Sequence, residues 1–311
     1  MSFNLYEHPG LKDPVMISSW SGIGNIGLIA VEALRNQLTS QELGEIEPWS
    51  FFDPQKTVIK EGILQEMEFP KNKFYYNQLP QKDTVFFVGE EQPGQMGKMY
   101  ANGEKAYQMA ALVLDVAEKT GVKRIYTSGA CVTASHHHLT PRVIAVAGSE
   151  QLLEETCNHS LVYPMSEIGD EGGEGIITGL NGLLLSMAQK RGMEAVCLMG
   201  EIPDWLSRAP FPYPKASRSV MEAFAHIIDA PVNTSSLDSK IEEIDKIVEQ
   251  LYQKFPDKVK EQYDERKSEQ QALGPITREE AEWMKAHLDD FLQNLPSKED
   301  GDDYGDDQKP T

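Results

Sequence analysis

Along this chain, short apolar runs alternate with stretches in which apolar residues recur every three or four positions, the signatures of buried strands and amphipathic helices in turn. Residues 14–20 (PVMISSW) read as a strand ending in a Ser/Gly turn, and residues 28–38 follow at helical spacing. Between 47 and 78 the spacing changes to aromatic and β-branched pieces broken by Asp53-Pro54, Glu61-Gly62 and Pro70, which predicts an inserted β-hairpin. Residues 83–89 (DTVFFVG) form a second apolar run. Ala106, Met109, Ala110, Val113, Leu114 and Ala117 then share one face of a helix that stops at Gly121. Further strands are expected at 122–128, 142–147 and 195–199, and further helices at 176–188 and 217–228. Strands alternating with helices predict an α/β fold with a mainly parallel sheet covered by helices on both faces.

Past Pro231 the pattern becomes purely helical. Ile241, Ile244, Val248, Leu251 and Phe255 make one apolar stripe on a helix starting near Asp238. A capping-box pair, Thr277 and Glu280, precedes Trp283, Met284, Leu288, Phe291 and Leu295. Each stripe must be covered by its partner helix, by the sheet domain or by another subunit. The last segment (SKEDGDDYGDDQKPT) sets six carboxylates against two lysines and reads as a disordered acidic tail. The expected organisation is an α/β core over 1–235, a C-terminal helical extension over 236–296 and a tail over 297–311.

Composition narrows the function classes. A net charge of -20 over 311 residues argues against nucleic acid and against anionic lipid surfaces, both of which need clustered Lys and Arg. No apolar run reaches the roughly 18 residues of a membrane span, and the first residues (MSFNLYEHPG) carry no signal core, so a cytoplasmic protein is expected. Cys131, Cys157 and Cys197 are odd in number and widely spaced, which fits neither a disulfide framework nor a structural zinc site.

Several short motifs carry candidate chemistry. Gly22, Gly24 and Gly27 spell G-x-G-x-x-G between strand and helix, with Glu47 twenty residues further on, about where a ribose-binding carboxylate belongs. The competing reading is a tight strand-to-helix turn, favoured because Glu47 runs directly into Pro48 and the hairpin region. A second glycine-rich loop holds Asp170, Glu171, Gly172, Gly173 and Glu174, whose charge suits a cation or polar partner better than a phosphate, and the competing, favoured reading is a structural turn with a capping carboxylate at a helix start. Cys131 with His136 or His138 forms a weak nucleophile-and-base candidate without the glycines of a nucleophile elbow. His136, His137 and His138 are adjacent and expected to diverge, so no metal site and no cofactor is predicted. Glu90 and Glu91 close one strand, and Glu201 another, where Trp205 is expected as an exposed anchor for a partner or as a lid over the core.

Taken in order, these pieces resemble the proteasome assembly chaperone 2 family. Gly22, Gly24, Asn25 and Gly27 match its G-x-G-N-x-G loop, and Gly89, Glu90, Glu91 and Pro93 loosely match its G-E-P-like strand end. Gly179, Gly182 to Leu185, Arg191, Gly192, Gly200, Glu201 and Pro203 match the later segments, so the likeness covers about residues 5–230. The resemblance implies a phosphorylase/hydrolase-like α/β fold, a homo-oligomer (often a trimer in bacterial members) and, for some members, a role in assembling proteasome-type particles. Members that dock on a proteasome end in a hydrophobic residue, a tyrosine and one last residue. The tail tyrosine here, Tyr304, follows Asp303 and precedes seven more residues, so docking by that route is not expected. The first-loop aromatic of the family is Ile23 here. A protein-binding scaffold or assembly chaperone is the expected function. The alternative is a small-molecule binder or hydrolase-like enzyme using the loops at the carboxyl edge of the sheet.

Overall fold

The computed structural model describes residues 2–52, 59–64, 67–94, 103–168 and 174–269. The strands in chain order are β1 (Phe3–Leu5), β2 (Val15–Trp20), β3 (Gln41–Ile46), β4 (Ile59–Lys60), β5 (Ile63–Leu64), β6 (Asn72–Asn77), β7 (Thr84–Gly89), β8 (Arg124–Thr133), β9 (Val143–Ala147), β10 (Val162–Pro164) and β11 (Glu194–Pro203). The helices are α1 (Ile26–Gln37), α2 (Gly103–Lys119), α3 (Glu150–Thr156), α4 (Gly179–Lys190), α5 (Pro214–Ile227), α6 (Asp238–Tyr252) and α7 (Asp257–Glu269).

Nine strands make one mixed, mostly parallel sheet in the order β1-β3-β6-β7-β2-β8-β11-β9-β10, while β4 and β5 pair separately as the inserted hairpin. The four central strands β7, β2, β8 and β11 run parallel, and antiparallel pairings join β1, β3 and β6 on one side and β9 on the other. β8 and β11 stay in register over ten residues each, from Glu194 opposite Arg124 to Pro203 opposite Thr133. The chain thus carries Cys131 and Glu201 side by side to the carboxyl end of the sheet.

Central strands buried on both faces explain the unbroken apolar runs in β2 and β7, in which every residue is buried. Helices α1 and α5 pack together on one face, and α2 and α4 on the other. Between them the core includes Trp20 and Phe74, each with its ring centroid 4.8 Å from that of Phe87. The start of α1 shows what the first glycine motif does. Gly24 sits at φ 58°, a left-handed conformation that glycine adopts without strain. A Cβ on Gly27 would lie 2.7 Å from the Ser128 carbonyl oxygen, so only glycine lets the helix start this close to β8. Gly22 is extended, with open space where a Cβ would be.

β1, β3, α3, β10 and α7 have no counterpart in the sequence reading. β3 reads QELGEI, too polar to register as a strand, and α7 reads DKVKEQYDERKSE, with Tyr263 buried and no apolar stripe. The α6 stripe does have a cover: Ile241, Ile244, Val248 and Leu251 are buried, and α6 lies against α5. Thr277, Glu280, the second predicted stripe and the acidic tail lie outside the described residues.

Candidate functional site

Hydrogen bonds tie three rim segments together at the carboxyl end of the central strands. The Ser21 amide donates to the Gly89 carbonyl (3.2 Å), Gln92 Nε2 donates to the Ser21 carbonyl (2.8 Å), and Gln92 Oε1 accepts from the Leu180 amide at the start of α4 (3.0 Å). Gly22 and Asn25 therefore share this rim with Glu90 and Glu91, which are exposed, and Glu90 accepts a hydrogen bond from the Lys71 amide. Gly24 faces the other way: its carbonyl accepts from the Tyr213 amide at 2.8 Å, anchoring the start of α5. Glu171, Gly172 and Gly173 lie outside the described residues. Glu47 is remote from the turn. It follows β3 at the sheet edge, where its carboxylate accepts hydrogen bonds from Ser2 and Asn4 and is held below the usual carboxylate range by them.

A cavity of 570 Å³ opens between β8, β9 and α4 and includes Cys131, Ile177, Leu185 and Met199 in its lining. Among the described lining residues Cys131 is the sole titratable group. Burial, with the Glu201 carboxylate second, pushes its thiol up to about 12, so it stays protonated at neutral pH and is a poor nucleophile. Iodoacetamide at pH 7.5 is expected to modify Cys157, the partly exposed thiol, well before the buried Cys131 and Cys197. Peptide mass mapping of the native protein checks the order, and Cys131 reacting first would reverse this reading.

Glu201 is 3% exposed and wholly engaged. Its Oε1 accepts from Arg142 Nη2 (2.7 Å) and Thr133 Oγ1 (2.8 Å), and its Oε2 from Arg142 Nε (3.1 Å) and the Arg142 amide (3.2 Å). This bidentate pair fastens the turn before β9 to the end of β11.

Trp205 is not an exposed anchor. It is 5% exposed, and its ring packs against Phe255 (5.0 Å), His137 (5.7 Å) and Tyr252 (6.2 Å). Tyr263 closes the same corner from α7, donating its hydroxyl to Asp204 at 2.6 Å.

Beside Trp205 the three histidines converge, contrary to the divergence expected of neighbours. The Leu139 amide donates to the His136 carbonyl and the His138 amide to His136 Nδ1, which curls the loop so that the ring centroids lie 4.2–4.8 Å apart. His137 Nε2 and His138 Nε2 both reach Glu249 Oε2 on α6, at 3.2 and 2.9 Å, and His136 Nε2 lies 3.2 Å from Asp264 on α7. Lys215 Nζ donates to the His137 carbonyl at 2.9 Å. Desolvation, with the neighbouring imidazoles adding to it, lowers His137 to about 4, whereas hydrogen bonds from Gln253 and the histidines lower Glu249 to about 2. At neutral pH a neutral His137 therefore faces an ionised carboxylate, and the ring nitrogen nearest Glu249 carries the proton, because a carboxylate only accepts. Sequence reasoning missed Glu249, Asp264, Lys215 and Arg142. The two acids sit on polar helix faces more than a hundred residues from the histidines, and no local pattern marks them.

The class of protein this defines is an α/β protein with a doubly covered, mostly parallel sheet, whose carboxyl rim carries glycine turns, the exposed Glu90 and Glu91 and the buried Glu201–Arg142 pair. The chain belongs to the PAC2 family, whose model matches residues 16–252. It is similar to the crystal structure of Pyrococcus furiosus PbaB, an archaeal proteasome activator, at 26% identity and a TM-score of 0.66 over 80% of this chain and 98% of that one. The fold is also that of a Mycobacterium tuberculosis proteasome-assembly chaperone homologue, at 17% identity and a TM-score of 0.62 over 80% of this chain and 99% of that one. An uncharacterised Methanocaldococcus jannaschii protein is 23% identical over 241 residues, 78% of this chain and 84% of the relative. None of the helices among the described residues is long and apolar enough to cross a membrane.

Proposed function

We propose that this chain is a cytoplasmic protein-binding scaffold of the assembly-chaperone kind, acting as a homo-oligomer on a proteasome-type particle and not by catalysis. The observation that carries this reading is the likeness to an archaeal proteasome activator along 98% of that chain. A protonated, buried Cys131 supports the absence of catalysis. The rim segments near Gly22, Asn25, Glu90 and Glu91 supply polar contact. The hairpin supplies apolar contact: it sets Ile59 opposite Leu64, and both side chains are about two-thirds exposed, at 66% and 69%. Exposed apolar clusters of this sort on a folded protein mark interaction surfaces.

The test is sedimentation of the full chain, alone and mixed with a purified archaeal-type proteasome core particle. A mass that is a whole multiple of the chain is expected, a trimer being the first candidate, together with co-sedimentation that the double variant Ile59→Asp/Leu64→Asp weakens at least tenfold. A monomer that never co-sediments would end the proposal.

A further inference from the structure

We propose that the cluster of His136, His137 and His138 binds one divalent transition-metal ion, with Glu249 as the carboxylate that orients the histidines. Each histidine offers one ring nitrogen, and these three atoms all lie within 4.8 Å of one another. Tetrahedral zinc, with Zn–N bonds of about 2.0–2.1 Å, sets its ligand atoms about 3.3 Å apart, so the rings would have to close in by up to about 1.5 Å, with His136 exchanging a contact to the His138 amide or to Asp264 for the ion. His138, partly exposed, has room to make that movement.

The second observation is the state of His137. Its side chain is 3% exposed, its Nε2–H points at Glu249, and its Nδ1 is buried with no hydrogen-bond partner among the described residues. A buried lone pair facing no donor carries a desolvation cost that a metal ion would remove. A histidine that donates one ring N–H to a carboxylate while its other nitrogen is left for an ion is the usual outer-shell arrangement of metal-binding imidazoles. An entry path exists as well. A cleft of 690 Å³, lined by His137, His138, Glu249, Lys215 and Asp245, connects the cluster to solvent. Three imidazoles select zinc, cobalt, nickel or copper over magnesium and calcium, which prefer oxygen ligands.

Bound there, the ion would fix the loop between β8 and β9 in the conformation in which His137 and His138 meet Glu249 of α6. The site is independent of the rim and hairpin surfaces, so its failure leaves the binding function untouched.

Isothermal titration of the full chain, stripped with chelator, tests this with Zn²⁺, and with Mg²⁺ as the hard-cation control. One Zn²⁺ per chain is expected, with no comparable Mg²⁺ binding, and Co²⁺ should develop visible d–d absorption in the same site. Glu249→Gln should weaken Zn²⁺ about 10–100-fold, the range for loss of an orienting carboxylate. His138→Gln, at a partly exposed position, should weaken it at least tenfold without loss of circular dichroism. His159→Gln, altering the separate pair in which the His159 and His226 centroids are 4.9 Å apart, should change nothing. No Zn²⁺ binding, binding unaltered in both His138→Gln and Glu249→Gln, or Mg²⁺ binding as tight as Zn²⁺ would each overturn the proposal.

Discussion

Replacing Glu201 with alanine should cost about 3–5 kcal/mol of folding stability, the range for removing one partner of a buried ion pair. The figure follows from what the carboxylate holds. Both of its oxygens are filled by the guanidinium, hydroxyl and amide donors of Arg142 and Thr133, at 2.7–3.2 Å, and the group is shut away from water. Alanine strips a half-buried Arg142 of its carboxylate and leaves the Thr133 hydroxyl to find another acceptor. Glutamine keeps one acceptor oxygen and the side-chain volume, so its loss should be smaller. Urea unfolding followed by circular dichroism measures both. An alanine cost below about 1 kcal/mol, the range of solvent-exposed pairs, would show that water relaxes this pair and that Glu201 is spared for contact with something else.

Trp205→Ala should cost a similar amount, about 3–5 kcal/mol, through the cavity left by a buried indole. Trp205→Phe should cost much less, because the indole nitrogen is buried with no hydrogen-bond partner among the described residues and phenylalanine forfeits only volume. The loss should appear locally as well. Trp205 touches Tyr252 at the end of α6 and Phe255 just beyond it, so hydrogen exchange should speed up in α6 before it does in β8 or β11. Were Trp205 instead a contact for a partner, alanine would leave stability and exchange as they were and lower only binding.

Those two residues also show where local sequence pattern runs out. The strands β2 and β7 and the helices α1, α2 and α5 are legible because the central strands are buried on both faces and the helices on one, which prints an apolar run or a 3.6-residue period onto the chain. The α6 stripe is legible for the same reason, although what covers it is not. The strand β3 is hidden because its first two residues are exposed and polar, and α7 because it buries Tyr263 without any apolar stripe. At the rim, Glu201 and Trp205 have the residue types of a contact surface, yet both are buried. Their partners, Arg142 at a separation of 59 residues and Tyr252 and Phe255 some 50 positions away, are brought in only by tertiary folding. The histidine cluster is the same lesson in reverse. Adjacent side chains diverge in extended backbone, and the turn that gathers them was not visible in the letters.

The sheet is bounded at its two outer margins by β1 and β10, each only three residues long. So brief a margin offers a foreign strand little ladder on which to dock, a common defence against uncontrolled polymerisation. Deleting residues 2–5, or displacing them with a bulky fusion, would lay bare the six-residue flank of β3 behind them. Preparations cut or tagged in that way should therefore be more prone to fibrous aggregation than the intact chain.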